Sequence, residues 1–346
     1  MQMDEAAVAV VAKTRAIYGQ RLSPADYEEL LSRRTVSDIA AYLKNSTHYA
    51  KALEGINESS VHRGQLENIL RREVFEIYMR LVHFEPVRPK GFYRYLIARR
   101  EIEQILDRIM YLNAESDDAF ILNLPSYLIR HASFDLLALA KARSFEELCE
   151  VIRDTPYYDA IAAYEPDARG QIDFTGCEVA LYTLYYSRLF SDIERDFDGD
   201  DRKELLDSVG RRVDLDNIVS IFRLKLYFKT PPAEIRRHLI PFHGSLTPAR
   251  LDALLGAQDG AELLQKLQGT PFERSFAGAD PTHIEMAARG HMYHRFRMNL
   301  RQSTNAAMSI LSLMTLYDIE INNIFHIIEG IRYNVPKSDI EKLLIL

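Results

Sequence analysis

The spacing of apolar residues follows the period of an α-helix along almost the whole chain. Apolar side chains recur three and four positions apart, most clearly at Ile218, Ile221 and Leu224 and at Ile324, Ile327, Ile328 and Ile331. This spacing places them on one face of a helix, where a neighbouring element can bury them. No stretch sustains the alternation of every second residue that half-buried strands show. The pattern therefore predicts an all-α protein.

Two stretches carry the residues that favour a helix start. Ser23 and Pro24 precede Asp26 in the first, and Thr247 and Pro248 open the second. A side-chain oxygen accepts a hydrogen bond from a free N–H of the first turn, and proline has no N–H to leave unpaired. Helices are expected to begin at both places.

Three short patterns recur three times in one order, which predicts an internal triplication. The first pattern is a capping hydroxyl, two aliphatic residues four apart, a second hydroxyl and a ring, at Ser23, Ile39, Leu43, Ser46 and His48, at Ser133, Leu148, Ile152, Thr155 and Tyr157, and at Thr247, Leu263, Leu267, Thr270 and Phe272. The second pattern begins with a tyrosine, at Tyr78, Tyr186 and Tyr293. The third pattern ends with an isoleucine, at Ile105, Ile218 and Ile324. Because the period is too long for a solenoid repeat, we predict three helical modules at residues 1–125, 126–240 and 241–346.

A Thr-Pro step at Thr155 and Pro156 interrupts the helical pattern in the second copy. The residue before a proline is pushed out of the helical conformation, and its hydroxyl can cap the helix that follows. We therefore expect a helix end and a new start here, with Tyr157 or Tyr158 packed against its own module.

Composition and charge exclude several classes of protein. The 346-residue chain has a formal net charge of −7, which argues against a general nucleic-acid binder. Two basic stretches that include aromatics, 88–100 and 289–301, are expected to contact proteins. Cys149 and Cys177 form no CxxC pair, which indicates a reducing compartment. The acidic start is unlike a signal peptide, and no run of about 18 apolar residues predicts a membrane span.

The sequence lacks the motifs of familiar catalytic and metal sites. It contains no GxxxxGK[ST] phosphate loop, no HExxH zinc motif and no GxSxG nucleophile. The acidic stretch from Glu194 resembles the start of an EF-hand loop, but Leu205 stands where the twelfth-position Glu is required. We therefore predict no catalytic residue, no cofactor and no metal.

The helices of the third pattern carry a family resemblance. The segments "DLDNIVSIFRLKLYFKTPPAEI" (214–235) and "EINNIFHIIEGIRYNVPKSDI" (320–340) resemble the family of C subunits of V/A-type ATPases, whose eukaryotic relative is the d subunit, as does the opening segment 11–49. The resemblance covers nearly the whole chain. It implies three similar helical modules in a funnel around a pseudo-threefold axis, between the membrane proteolipid ring and the central axle of a rotary ATPase. It implies no catalysis, and attachment to the membrane from the cytoplasm through the complex.

The resemblance also directs attention to residues that would meet the axle. Arg223, Lys225 and Arg332 are candidates because long cations at a rim can form ion pairs that guide docking. Asp214, Asn217 and Asn323 are expected at helix starts, where they would either cap the helix or face the axle. The alternative is a general helical adaptor that binds other proteins and has no part in a rotary motor.

Overall fold

The computed structural model describes residues 5–83, 91–114 and 124–346, except for the side chain of Thr282. Every regular element in these ranges is helical, which confirms the all-α prediction. The α-helices are α1 (Glu5–Tyr18), α2 (Pro24–Ser32), α3 (Val36–Ser46), α4 (Arg63–His83), α5 (Tyr95–Asn113), α6 (Leu136–Lys141), α7 (Phe145–Val151), α8 (Pro156–Ile161), α9 (Phe174–Asp196), α10 (Gly199–Leu226), α11 (Pro232–Arg237), α12 (Pro248–Gly256), α13 (Gly260–Lys266), α14 (Glu273–Phe276), α15 (Ile284–Gln302), α16 (Ala306–Arg332) and α17 (Lys337–Glu341).

The predicted helix starts are present. Ser23 caps α2 in a capping box with Asp26, and Thr247 caps α12 by accepting a hydrogen bond from the N–H of Arg250. Thr155 caps α8, whose first residue is Pro156, so the Thr-Pro step is a helix start as predicted. In each case the hydroxyl satisfies an N–H that the helix itself cannot pair.

The chain divides into two compact units. The first unit combines the start of the chain, within 1–87, with its end, 285–346. Its central element is α16, which packs against α1, α2, α3 and α4 and is buried along most of its length. The two ends of the chain therefore share one hydrophobic core.

The second unit spans 88–284 and is built around α9 and α10. Helix α9 packs against α5, α8 and α10, while α10 also contacts α11 and α13. The division into modules 1–125, 126–240 and 241–346 and their threefold arrangement stay predictions. None of the helices in the described ranges has the length and apolar character needed to cross a bilayer.

The residues of the repeated patterns belong to the core of each unit. The aliphatic pairs, the tyrosines and the isoleucines of all three copies are buried, namely Ile39, Leu43, Tyr78, Ile105, Leu148, Ile152, Tyr186, Ile218, Leu263, Leu267, Tyr293 and Ile324. The repeated patterns therefore identify residues of the hydrophobic core.

The predicted register of the first copy is wrong by one residue. Thr47, and not Ser46, accepts the hydrogen bond from the N–H two residues later, at Tyr49. Thr155 and Thr270 make the same bond to Tyr157 and Phe272. The buried ring of the first copy is accordingly Tyr49 and not His48. The cause is one additional residue before the turn, since α3 continues through Ser46.

The second copy also differs from its predicted start. Asp135, and not Ser133, caps the next helix, α6. The N–H of Ser133 instead donates to the carboxylate of Glu101. Tyr157 is the buried member of the tyrosine pair; its ring lies edge-on to Phe134 with the centroids 6.2 Å apart, and its hydroxyl donates to Glu101, outside the predicted second module.

Candidate functional site

Three buried carboxylates each stand four residues before the isoleucine that ends the third sequence pattern. Glu101, Asp214 and Glu320 lie within the long helices α5, α10 and α16 and are 1%, 1% and 0% exposed. Each accepts a hydrogen bond from a main-chain N–H group in the segment just before a short helix. The donors are Ser133 for Glu101, Gly244 for Asp214 and Leu22 for Glu320. We call each of these arrangements a carboxylate joint. Each joint fixes the segment before a short helix, α2, α6 or α12, to a long helix.

The joint of Glu320 connects the two ends of the chain. Its Oε2 accepts from the N–H of Leu22 at 3.0 Å and from Nε of Arg21 at 3.1 Å, and Oε1 accepts from the hydroxyl of Tyr49 at 2.9 Å. Arg21 is itself buried, so this is a buried ion pair. His48 lies 3.5 Å from Oε1 through its Nε2, and burial lowers its pKa, partly offset by Glu320.

The joint of Glu101 uses a similar set of donors. Oε1 accepts from the N–H of Ser133, and Oε2 accepts from the hydroxyl of Tyr157 at 2.6 Å. The pKa of Tyr157 is raised by burial and by the adjacent Glu101 carboxylate. The guanidinium of Arg94 is 3.8 Å away and more than half exposed, so its pairing is weaker than that of Arg21.

The joint of Asp214 contains only main-chain donors. Oδ1 accepts from Gly244 at 2.9 Å, and Oδ2 accepts from Ser245 at 2.6 Å and from Leu246 at 3.0 Å. Burial raises the pKa of Asp214, and the three N–H groups act in the opposite direction. The aromatic residue of the third copy that corresponds to Tyr49 and Tyr157, Phe272, has no hydroxyl to donate.

Two glycines allow this close approach of the main chain to α10. A Cβ on Gly210 would lie 2.7 Å from Cα of Gly244, well inside van der Waals contact. Gly210 is one helical turn before Asp214, so the segment can come near enough for its N–H groups to reach the carboxylate. The pair is therefore part of the joint.

Two buried asparagines make a second recurring contact. Asn217 donates to the carbonyl of Ile240 and accepts from its N–H, both at 2.9 Å. Asn323 makes the same pair of bonds to Ile345, at 2.7 and 3.1 Å. Both side chains hold the segment that follows their own long helix.

Three of the six predicted interface residues are thus inside the fold. Asp214, Asn217 and Asn323 lie in the interior of α10 and α16, so their expected location at helix starts is wrong. The error arises because α10 begins 15 residues before Asp214 and α16 begins 17 residues before Asn323. Acidic and amide residues favour helix starts, but within a helix they can also bond to main-chain groups. In this structure their polar atoms are directed to their own unit.

The three cations have different environments. Arg223 is exposed on α10. Burial raises the pKa of Glu178, and the positive charge of Arg223 acts in the opposite direction. Lys225 is half-buried and donates to the carbonyl of Leu255 at 2.7 Å; burial lowers its pKa. Arg332 is exposed at the end of α16 and pairs with Glu329 at 3.1 Å. Arg223 and Arg332 are therefore the two candidates accessible to a partner.

Large exposed aromatics stand near these cations, and the sequence prediction did not include them. Tyr227 and Phe228 are 57% and 67% exposed after the end of α10, and Tyr333 is 72% exposed after α16. The signal that could have found them is positional. Tyr227 and Tyr333 each follow the repeated asparagine by ten residues and precede a proline-led turn.

The acidic stretch that resembles an EF-hand forms local contacts. Asp196 pairs with Arg195 at 2.7 Å, and Nε of Arg202 donates to the carbonyl of Phe197. Among the residues with a described position, no group of three or more His, Cys, Asp or Glu side chains could hold a metal ion.

Comparison with known proteins places this architecture in a family. The chain matches the model of the ATP synthase (C/AC39) subunit over residues 10–343. It belongs to that family. It is 26% identical to the C subunit of the A-type ATP synthase of Thermococcus gammatolerans over 82% of this chain and 75% of that protein. It is 21% identical to the C subunit of the A-type ATP synthase of Archaeoglobus fulgidus over 97% and 95% of the two chains.

Membership makes the chain an accessory subunit of a rotary ATP synthase and not a catalytic one. The exposed ends of α10 and α16 supply surface chemistry, and the buried carboxylate joints supply internal connections.

Proposed function

We propose that this protein is the non-catalytic central-stalk subunit of an A-type rotary ATP synthase. It acts as a socket that couples the rotor axle to the proteolipid ring and so links ATP turnover to ion transport. The observation that carries the proposal is the family match over residues 10–343. A general adaptor, the alternative function, has no comparable support.

The internal contacts agree with a part that transmits torque. A subunit between axle and ring must resist twisting, and buried, fully bonded polar groups favour one rigid arrangement over others. The joint of Glu320 closes the first unit across 298 residues of chain by bonding Leu22, so the two chain ends are held together. Carboxylate joints in both units supply the same resistance.

Arg223 and Arg332 would meet the axle, while another face would rest on the ring. The net charge of −7 gives no general attraction to anionic lipid, so membrane attachment from the cytoplasm would depend on the ring. The isolated protein is expected to hydrolyse no nucleotide.

A binding titration against the purified axle subunits at two salt concentrations tests the proposal. The R223E/R332E variant should bind about tenfold more weakly at low salt and lose part of its salt dependence, because rim cations act mainly by screened attraction. A matched control, K51E/K203E, reverses one exposed lysine in each unit and should leave affinity unchanged.

Two results count against the proposal in different ways. Equal affinity of R223E/R332E and the wild type at both salt concentrations would remove these two cations from the contact. Failure of the wild-type protein to bind either axle or ring would remove the stalk assignment itself.

A further inference from the structure

The end of α10 presents two large aromatic side chains at the surface. Tyr227 and Phe228 are adjacent and more than half exposed. The chain turns at Lys229, whose φ of 53° is in the left-handed region, and the N–H of Thr230 bonds back to the carbonyl of Leu224 at 3.1 Å. Ile235 is fully buried and anchors the return of the chain. The aromatic tip is therefore held from both sides in an exposed position.

The charge around this tip is strongly positive in a protein that is negative overall. Residues 223–237 contain five cations, at Arg223, Lys225, Lys229, Arg236 and Arg237, and a single carboxylate, at Glu234. Arg236 pairs with Asp252. Arg223, Lys229 and Arg237 are exposed and form no ion pair with any residue in the described part of the chain. An exposed apolar patch with a charged rim is typical of a protein-binding site.

The equivalent end of α16 shares the shape but not the charge. Tyr333 is exposed, the next residue, Asn334, also has a φ of 53°, and Ile340 anchors the return. Its cations are paired locally, Arg332 with Glu329 at 3.1 Å, Lys342 with Asp339 at 2.8 Å and Lys337 with Glu341 at 3.7 Å. The aromatic tip is thus common to both ends, whereas the unpaired positive charge belongs to α10 alone.

We infer that the end of α10 is the principal docking point for the axle, and that the axle meets it with an apolar pocket bordered by carboxylates. Tyr227 and Phe228 would fill the pocket, and Lys229 and Arg237 would pair with its border. This inference rests on the proposed stalk function and specifies the chemistry of the partner surface. Charge complementarity supports it, because only an acidic partner satisfies the cations that the fold leaves unpaired.

The test uses the full-length protein in binding titrations with three separate probes. These are the purified axle subunits, the detergent-solubilised proteolipid ring, and vesicles of phosphatidylcholine with phosphatidylglycerol. The variants are Y227S/F228S, K229E/R237E and, as the matched control, Tyr333→Ser at the equivalent tip. All five positions are exposed, so unchanged melting temperatures should accompany the binding results.

The expected result is selective for the axle. Y227S/F228S should weaken axle binding about tenfold or more at both salt concentrations, as loss of aromatic anchors does. K229E/R237E should weaken it mainly at low salt, and Tyr333→Ser should change it by less than about threefold. Wild-type binding to the axle with unchanged affinity of both double variants would overturn the inference and leave the stalk function standing. Losses confined to the ring or to the vesicles would also overturn it, whereas no wild-type binding to axle or ring would overturn the proposed function.

Discussion

The joints of Glu320 and Asp214 serve the same purpose in the two units with different donors. Glu320 binds a main-chain N–H, a phenol and a buried guanidinium, while Asp214 binds three main-chain N–H groups. A carboxylate can accept about four hydrogen bonds from donors of any type. The fold therefore retains the position of the carboxylate while its partners differ.

The length of the carboxylate side chain differs between the joints together with the type of hydrogen-bond donor. Glu occurs where Tyr49 or Tyr157 supplies a hydroxyl, and the shorter Asp occurs where Phe272 supplies none. At Asp214, the close approach of Gly244 to Gly210 brings the main chain itself to the carboxylate. The comparison predicts that the two joints differ in strength, since only Glu320 neutralises a buried cation.

The largest effect is expected from Glu320→Gln. The amide can still bond to Tyr49 and Leu22, but Arg21 would remain buried without a counter-charge, which typically costs about 3–5 kcal/mol. Denaturant unfolding measures the loss. The control is Glu329→Gln on the same helix, 30% exposed, which should cost less than about 1 kcal/mol. Equal losses in the two variants would show that the buried ion pair does not stabilise the first unit.

Asp214→Asn should have a smaller effect of about 1–3 kcal/mol, because it leaves only neutral donors without a full set of acceptors. Hydrogen exchange should become faster at the N–H groups that Asp214 binds, those of Gly244, Ser245 and Leu246. A loss as large as that of Glu320→Gln would contradict the view that Arg21 distinguishes the joints.

Tyr49→Phe should cost about 1 kcal/mol, because Glu320 keeps its other donors when the hydroxyl is removed. Tyr158→Phe is the control, since Tyr158 is half-buried and its hydroxyl makes no hydrogen bond among the described residues. Urea midpoints of both variants provide the comparison. No difference between them would mean that the phenol is dispensable in the joint.

Much of this fold could be predicted from the sequence, because apolar spacing and helix caps are local signals. The repeated patterns identified core residues such as Ile39 and Ile218, whose burial follows from their helical period. The register of Tyr49 could not be obtained this way, since a one-residue extension of α3 changes no local preference. The roles of Asp214 and Asn217 depend on main chain 23 to 32 residues later, which no local pattern specifies.

A smaller effect of pH is expected from two histidines of the first unit. Burial lowers the pKa of His48 and of His326 from 6.5 in this unit. Below about pH 6.5 the unfolded chain therefore binds protons that the folded unit does not, so stability present at pH 7 is lost as the pH falls. Hydrogen exchange at pH 7.5 and 5.5 should show more opening of α16 than of α10. H48Q/H326Q should reduce this difference, and an unchanged difference would exclude the two histidines as its cause.

A coupling subunit must bridge axle and ring, and this can be measured directly. The purified axle subunits are mixed with proteolipid ring in nanodiscs, and the nanodiscs are captured by their own tag, with and without the protein. We expect axle to be retained only when the protein is present, in proportion to the protein bound, and R223E/R332E to retain less axle at equal occupancy of the ring. Axle retained equally well without the protein, or never retained with it, would contradict a coupling role.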